Sequence, residues 1–207
     1  MVNGYTGSKA AEVASFLKSV AIIVVLVIII RGSLIEPFKI PSESMVPTLK
    51  ITDHILVSKL SYGFRLPFFT HTIWQYATPR RGDIVVFTRP DEKQTPLEDE
   101  SAINIIKRVI GLPGETIEVK GTTVLINGVV LDEPYARWID GGSPTGNFGP
   151  AVVPEGKVLL LGDNRDRSRD SRYWEYHFLE ISRIKGRALI IYFTFSDFLK
   201  RVGTILR

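Results

Sequence analysis

Hydrophobic and polar positions divide the chain into two unequal parts. Between Val20 and Ile30 eleven residues in succession are apolar (VAIIVVLVIII), and extending the window back to Val13 admits only Ser15, Lys18 and Ser19. A membrane-spanning helix needs about 20 mostly apolar residues, because each residue rises about 1.5 Å across a hydrocarbon layer roughly 30 Å thick. The run is slightly short of that, but Lys18 can snorkel to one interface and the apolar character resumes at Leu34 and Ile35, so the pattern predicts a single span. A removed signal peptide shares the basic start and the apolar run, yet no small-x-small cleavage site follows Ile30, and RGSLIEPFK does not resemble one. Residues 1–35 therefore read as tail and anchor. Lys9 and Lys18 precede the run and Arg31 and Lys39 follow it, so charge alone does not orient the span.

From residue 36 to 207 the pattern changes to short apolar or alternating runs broken by Gly, Pro and Asp, which predicts a β-rich domain. HILVSKL (54–60), DIVVFT (83–88), INIIKRVI (103–110), ETIEVK (115–120), KVLLLGD (157–163) and GRALIIYF (186–193) are its strands. Asn127-Gly128 between TTVLI and VVLD predicts a hairpin, since a type I′ turn needs two positive φ values. Residues 89–101 and 140–150 read as surface loops. The C-terminal SDFLKRVGTILR allows a short helix N-capped by Ser196, weakened by Gly203, or a frayed tail. Tyr62 to Phe69, followed by Trp74 and Tyr76, is unusually aromatic and fits either a membrane interface or a packed core.

Composition removes several classes of chemistry. The absence of cysteine excludes disulfides, thiol nucleophiles and thiolate zinc sites, and His54, His71 and His177 are too few and too scattered to indicate a metal enzyme. The formal charge of +4 is spread along the chain and fits an anionic lipid surface as well as nucleic acid, which is not expected as a partner. Nucleophilic catalysis must then use Ser, Thr, Asp, Glu or Lys, and a lysine base must be buried to lower its pKa from about 10.4. Lys107, within INIIKRVI, has the apolar setting this requires; its structural alternative is an edge-strand lysine that discourages aggregation. Ser42 and Ser44 lie between Pro41 and Pro47, whose fixed φ angles make a stiff non-helical turn.

Three segments, taken in order, resemble the motifs of the type I signal peptidases. IPSESMVPTL (Ile40–Leu49) is similar to the nucleophile segment, IKRVIGLPGE (Ile106–Glu115) to the general-base segment, and GDNRDRSRDSRYW (Gly162–Trp174) to the third signature. The resemblance implies Ser44 as nucleophile and Lys107 as general base, acting through an acyl-enzyme, with the Ser42 hydroxyl and the Ser44 backbone N–H receiving the oxyanion. It implies that Ser168 hydrogen-bonds the base and that Asp170 and Arg172 brace the loop, while Gly162, Asp163 and Asn164 read as ordinary turn residues. Phe38, Ile40, Leu49 and Ile106, with Met45 packed beside them, would line a pocket that admits only small side chains. Glu175 after Trp174, and Thr52-Asp53-His54 where relatives often carry Gly-Asp, depart from the pattern.

The implied activity is removal of signal peptides from secretory preproteins, cut after small residues of the Ala-x-Ala type. No cofactor or metal is implied. The implied setting is the plasma membrane, with the N-terminus cytoplasmic and the β domain on the outer face. A self-cleaving repressor or maturation protease would share Ser-Lys chemistry, but a repressor would carry a DNA-binding head in place of an anchor; a tethered binding module would not need the intact Ser44 and Lys107.

Overall fold

The computed structural model describes residues 9–64, 74–88, 104–138 and 146–206. Helix α1 (Lys9–Ile29) continues through a π turn, Ile30–Leu34, so that the apolar stretch Ala11–Leu34 is helical throughout and exposes Phe16, Leu17 and the Ile/Val run on all sides. At about 1.5 Å per residue, 21 residues cover about 32 Å, enough for the hydrocarbon layer. A helix that is apolar all round and unburied by its own chain has lipid as its natural surroundings.

The chain passes directly into strand β1 (Ile35–Lys39) and then, after the Pro41–Pro47 turn, into β2 (His54–Ser58). Two short strands follow, β3 (Gly63–Phe64) and β4 (Trp74–Gln75), and then the long buried pair β5 (Ile84–Thr88) and β6 (Asn104–Gly111). Next come β7 (Thr116–Lys120), β8 (Thr123–Ile126), β9 (Val129–Val130) and β10 (Phe148–Val152). β11 (Lys157–Leu161), β12 (Leu179–Glu180) and β13 (Ile184–Phe193) complete the strands, before a one-turn helix α2 (Phe198–Arg201). Among the described residues, the main sheet has the order β1-β2-β13-β5-β6-β11-β12, and a smaller one the order β10-β7-β8-β9. The described domain is thus mostly strand, behind an N-terminal apolar helix.

Sequence alternation explains the layers. In β2 Ile55 and Val57 point inward while their neighbours are half-buried, whereas β5, apolar on both faces, is buried at every position. Asn127 and Gly128 both take positive φ, and Ile126 pairs with Val129 across the expected hairpin. Residues 89–103 and 139–145 lie outside the described residues, and with them most of the two expected loops; Phe148–Pro150, however, belong to β10. The aromatic segment divides: Tyr62 is buried, whereas Trp74 is 71% and Tyr76 53% exposed, and residues 65–73 lie outside the described set.

The C-terminus is neither frayed nor capped by Ser196. Asp197, in the left-handed region, precedes a single helical turn, after which Gly203 reverses the chain and Ile205 pairs with Ile190 of β13. Arg201 then ion-pairs with Asp53 and donates to the Thr48 carbonyl at 3.1 Å, fastening the tail beneath the Ser44 loop.

Thr52 occupies the third position of the Lys50–Asp53 turn at φ +74°. A β-branched residue is strained there and glycine is not. Thr52→Gly is expected to stabilise the protein by about 1 kcal/mol, seen as a Tm rise of about 2–4 °C; no rise, or a fall, in thermal denaturation would refute the strain.

Candidate active site

The segment after β1 is held at both ends. Ile40 N–H donates to the Asp53 carbonyl at 2.8 Å and Thr52 N–H to the Ile40 carbonyl at 3.1 Å, while Met45 and Leu49 sink fully into the core with Ile55, Val57 and Ile84. From the other side, Asn164 donates its N–H to the Ser44 carbonyl at 3.1 Å and its side-chain amide to the Glu43 carbonyl at 3.1 Å. Ser44 is thereby fixed in place with 7% of its surface exposed. Ser42, by contrast, is exposed, with its Oγ 3.4 Å from the Ser44 Oγ.

Lys107 stands in the interior of the sheet, since β6 is flanked by β5 on one side and β11 on the other. This disposes of the edge-strand alternative. Its side chain is 3% exposed, and Nζ donates to Ser44 Oγ at 2.7 Å and to the Ile106 carbonyl at 3.0 Å. Burial depresses its pKa to about 8, outweighing the opposing pull of the Asp170 and Asp163 carboxylates. Both carboxylates are themselves paired with arginines, which limits that pull.

The third motif folds around the dyad. Asp170 is fully buried and accepts a forked pair of bonds from Arg172, 2.9 Å from Nε and 3.0 Å from Nη2, together with the Gly162 N–H at 3.0 Å. Arg172 also donates to the Arg165 carbonyl at 2.6 Å, so the pair closes the loop on itself. The hydrogen bond expected between Ser168 and the base is not formed. Ser168 Oγ is buried without a partner, while Lys107 Nζ contacts Ser44 Oγ and the Ile106 carbonyl. Space here is tight: a Cβ on Gly162 would meet Ser168 Oγ at 2.2 Å and the Ser44 carbonyl oxygen at 2.5 Å, so only glycine lets the two segments approach this closely.

With this geometry in place, comparison with known proteins is decisive. A family model described as "Signal peptidase, peptidase S26" matches residues 13–193. The chain belongs to the signal peptidase family. A signal peptidase I of Leptolyngbya laminosa is 43% identical over 176 residues, covering 84% of this chain and 76% of the relative. One from Bacillus licheniformis is 34% identical over 200 residues, covering 93% of this chain and 95% of the relative. A crystal structure of a signal peptidase I from Enterococcus faecalis V583 is 34% identical with a TM-score of 0.43, covering 55% of this chain and 98% of that one. The chain is accordingly a serine peptidase of the S26 family with an apolar helix suited to membrane anchoring.

The five residues expected to line the pocket come together in a single cluster beside the Ser44 loop. Ile40, Met45 and Leu49 are among its buried members. Phe38 is half-buried against the same cluster and Ile106 is 7% exposed, so they remain closest to the surface of the five.

Residues read only as turn formers prove to be structural centres. Asp163, 1% exposed, receives Arg108 Nε at 2.8 Å and Nη2 at 2.7 Å, and Thr48 Oγ1 donates to it at 2.5 Å. The Arg108 guanidinium also lies 3.9 Å from the centroid of the Tyr135 ring. A charged residue beside Lys107 in an otherwise apolar strand was the available signal, since a buried arginine needs an acidic partner.

Proposed function

We propose that the chain is a membrane-anchored Ser–Lys endopeptidase that removes signal peptides from secretory preproteins, cutting after small residues of the Ala-x-Ala type. The observation that supports this most is the buried 2.7 Å contact between Lys107 Nζ and Ser44 Oγ. In the neutral form of Lys107 the Ser44 O–H donates to Nζ. As Ser44 Oγ attacks the scissile carbonyl, Nζ takes the proton, and the ammonium then gives it to the departing amine. Water activated by the same amine hydrolyses the acyl-enzyme.

The developing oxyanion is received by the Ser44 backbone N–H and the Ser42 hydroxyl, each such donor contributing about 3–4 kcal/mol. Ser168, whose Oγ lacks another partner, accepts from the ammonium once it forms. Phe38 and Ile106, with Ile40, Met45 and Leu49 packed in the same cluster, bound the place where a short substrate side chain sits. The N-terminus is cytoplasmic and the β domain works on the outer face of the plasma membrane, where the anchor brings enzyme and signal peptide together in two dimensions.

The test is cleavage of an Ala-x-Ala preprotein by the detergent-solubilised full chain. With the base near pKa 8, kcat/KM is expected to rise about tenfold per pH unit below 8 and to level off above about 9. Ser44→Ala should be inactive, and replacing either alanine by leucine should abolish cutting. Full activity of Ser44→Ala, or a profile flat between pH 6 and 9, would remove the dyad assignment.

A further inference from the structure

One end of the main sheet gathers features that the peptidase chemistry does not use. Ile35, the first residue after the apolar helical stretch, pairs with Ser58, and Ser58 pairs with Arg187 of β13. Opposed Cα atoms lie about 5 Å apart, so Arg187 stands about 10 Å from the point where the chain leaves the hydrocarbon. The headgroup layer on each side of a bilayer is roughly 5–8 Å thick. Arg187 is therefore within about 10 Å of the end of the apolar helical stretch, a distance that headgroups can bridge.

There Arg187 lines a cleft of about 590 Å³, with Arg80, Arg81 and Asp83 on one side and Leu189, Ile190 and Ile205 on the other. The charges do not cancel within it. Arg81 is spent on Glu115 and the Ile110 carbonyl. Asp83 is held by the Tyr62 hydroxyl at 2.8 Å and the Arg80 N–H at 2.9 Å, and reaches Arg187 only at 3.3 Å. Arg187 keeps 42% of its side chain exposed, with its Nε buried and without a hydrogen-bond partner, and the Arg80 side chain has no ion-pair partner among the described residues. Two guanidinium groups thus face one carboxylate, leaving the single positive charge that matches a phosphodiester.

The surroundings indicate lipid rather than a soluble anion. Tyr62, which holds Asp83, also accepts the Tyr76 N–H through its carbonyl at 3.2 Å, and the adjacent Trp74 and Tyr76 side chains are exposed beside the same end of β2. Trp and Tyr favour the level of the headgroups, and arginine forks bind phosphate oxygens in pairs. We propose that this cleft binds a phospholipid headgroup, Arg80 and Arg187 holding the phosphate while Leu189, Ile190 and Ile205 take the glycerol and first acyl carbons. The site is independent of the dyad and rests only on the anchor.

The test titrates the full chain in dodecyl maltoside with phosphatidylglycerol and counts retained lipid by native mass spectrometry. Wild type is expected to hold a single tightly bound lipid. Arg80→Ala combined with Arg187→Gln should weaken retention at least about tenfold, whereas Lys120→Ala, removing an exposed charge elsewhere, should not. If the double variant melts well below wild type, Arg80→Ala alone carries the test, since that side chain is exposed, with an expected loss of about threefold or more. Equal retention by wild type and variants overturns the site. Displacement of the lipid by millimolar inorganic phosphate overturns the lipid assignment in favour of a soluble anion.

Discussion

Replacing Lys107 by methionine is expected to lower cleavage by at least about 10⁴-fold, as loss of a nucleophile–base partner does, while making the folded protein more stable at pH 7. The first effect follows from the 2.7 Å contact with Ser44, whose Oγ meets no other base among the described residues. The second follows from burial. Burial holds Lys107 at about 8 in the folded chain against the ordinary lysine value of about 10.5, so between those values the unfolded chain binds more protons than the folded one. Wild-type stability therefore rises as pH increases from about 8 to about 10.5, and below 8 the folded state bears a cost of about 3 kcal/mol.

Methionine has nearly the same volume and no charge, so it removes that cost together with the lysine hydrogen bonds. The net gain is about 1–3 kcal/mol below pH 8, shrinking toward pH 10.5. Denaturant unfolding of both proteins at pH 7 and pH 10, beside a cleavage assay, measures both effects. A variant less stable than wild type at pH 7, or one that still cuts, would show that Lys107 is a structural lysine and not a base held neutral at a cost in stability.

Arg108→Met is expected to have the largest effect on stability. It leaves the Asp163 carboxylate buried without its forked partner, a situation that costs about 3–5 kcal/mol and lowers Tm by about 10 °C or more. Removing both charges, in Arg108→Met with Asp163→Leu, should recover most of that loss, because an apolar pair of similar volume replaces two desolvated ions. Activity should not recover with it. Asp163 also accepts the Thr48 hydroxyl, and its neighbour Asn164 holds the Ser44 and Glu43 carbonyls, so the nucleophile loop loses its register. A displacement of the nucleophile by about 1 Å costs about 10²-fold in rate. A double variant that is as stable and as active as wild type would mean that Asp163 supports the fold alone.

The anchor, the strands and the order of the three motifs were legible because each is a local property. Eleven apolar residues cannot be reconciled with water, alternation in HILVS dictates two faces, and Asn127-Gly128 favours one turn geometry. The setting of Lys107 could be anticipated from its apolar neighbours, since desolvation is the main cause of its shift. What its neighbours could not show was that two carboxylates stand close enough to pull the other way, or that Ser168 would be left without a partner.

The tail shows the same boundary from the other side. Residues 196–206 carry no strong helical pattern, and their place is set by Arg201 meeting Asp53, a residue 148 positions earlier, and by Ile205 finding the edge of β13. The Arg108–Asp163 pair joins residues 55 apart, and the arginine cleft joins the Arg80–Asp83 turn to the middle of β13. By itself the sequence determined the apolar segment, the β class and the turn, because backbone periodicity and solvent preference act over a few residues, while the candidate dyad came from the resemblance of three motifs to a known family. Only the tertiary structure decided which buried charges are paired, which apolar side chains cluster beside the nucleophile, and where cations are left facing outward, because those outcomes depend on partners that strand order alone brings together.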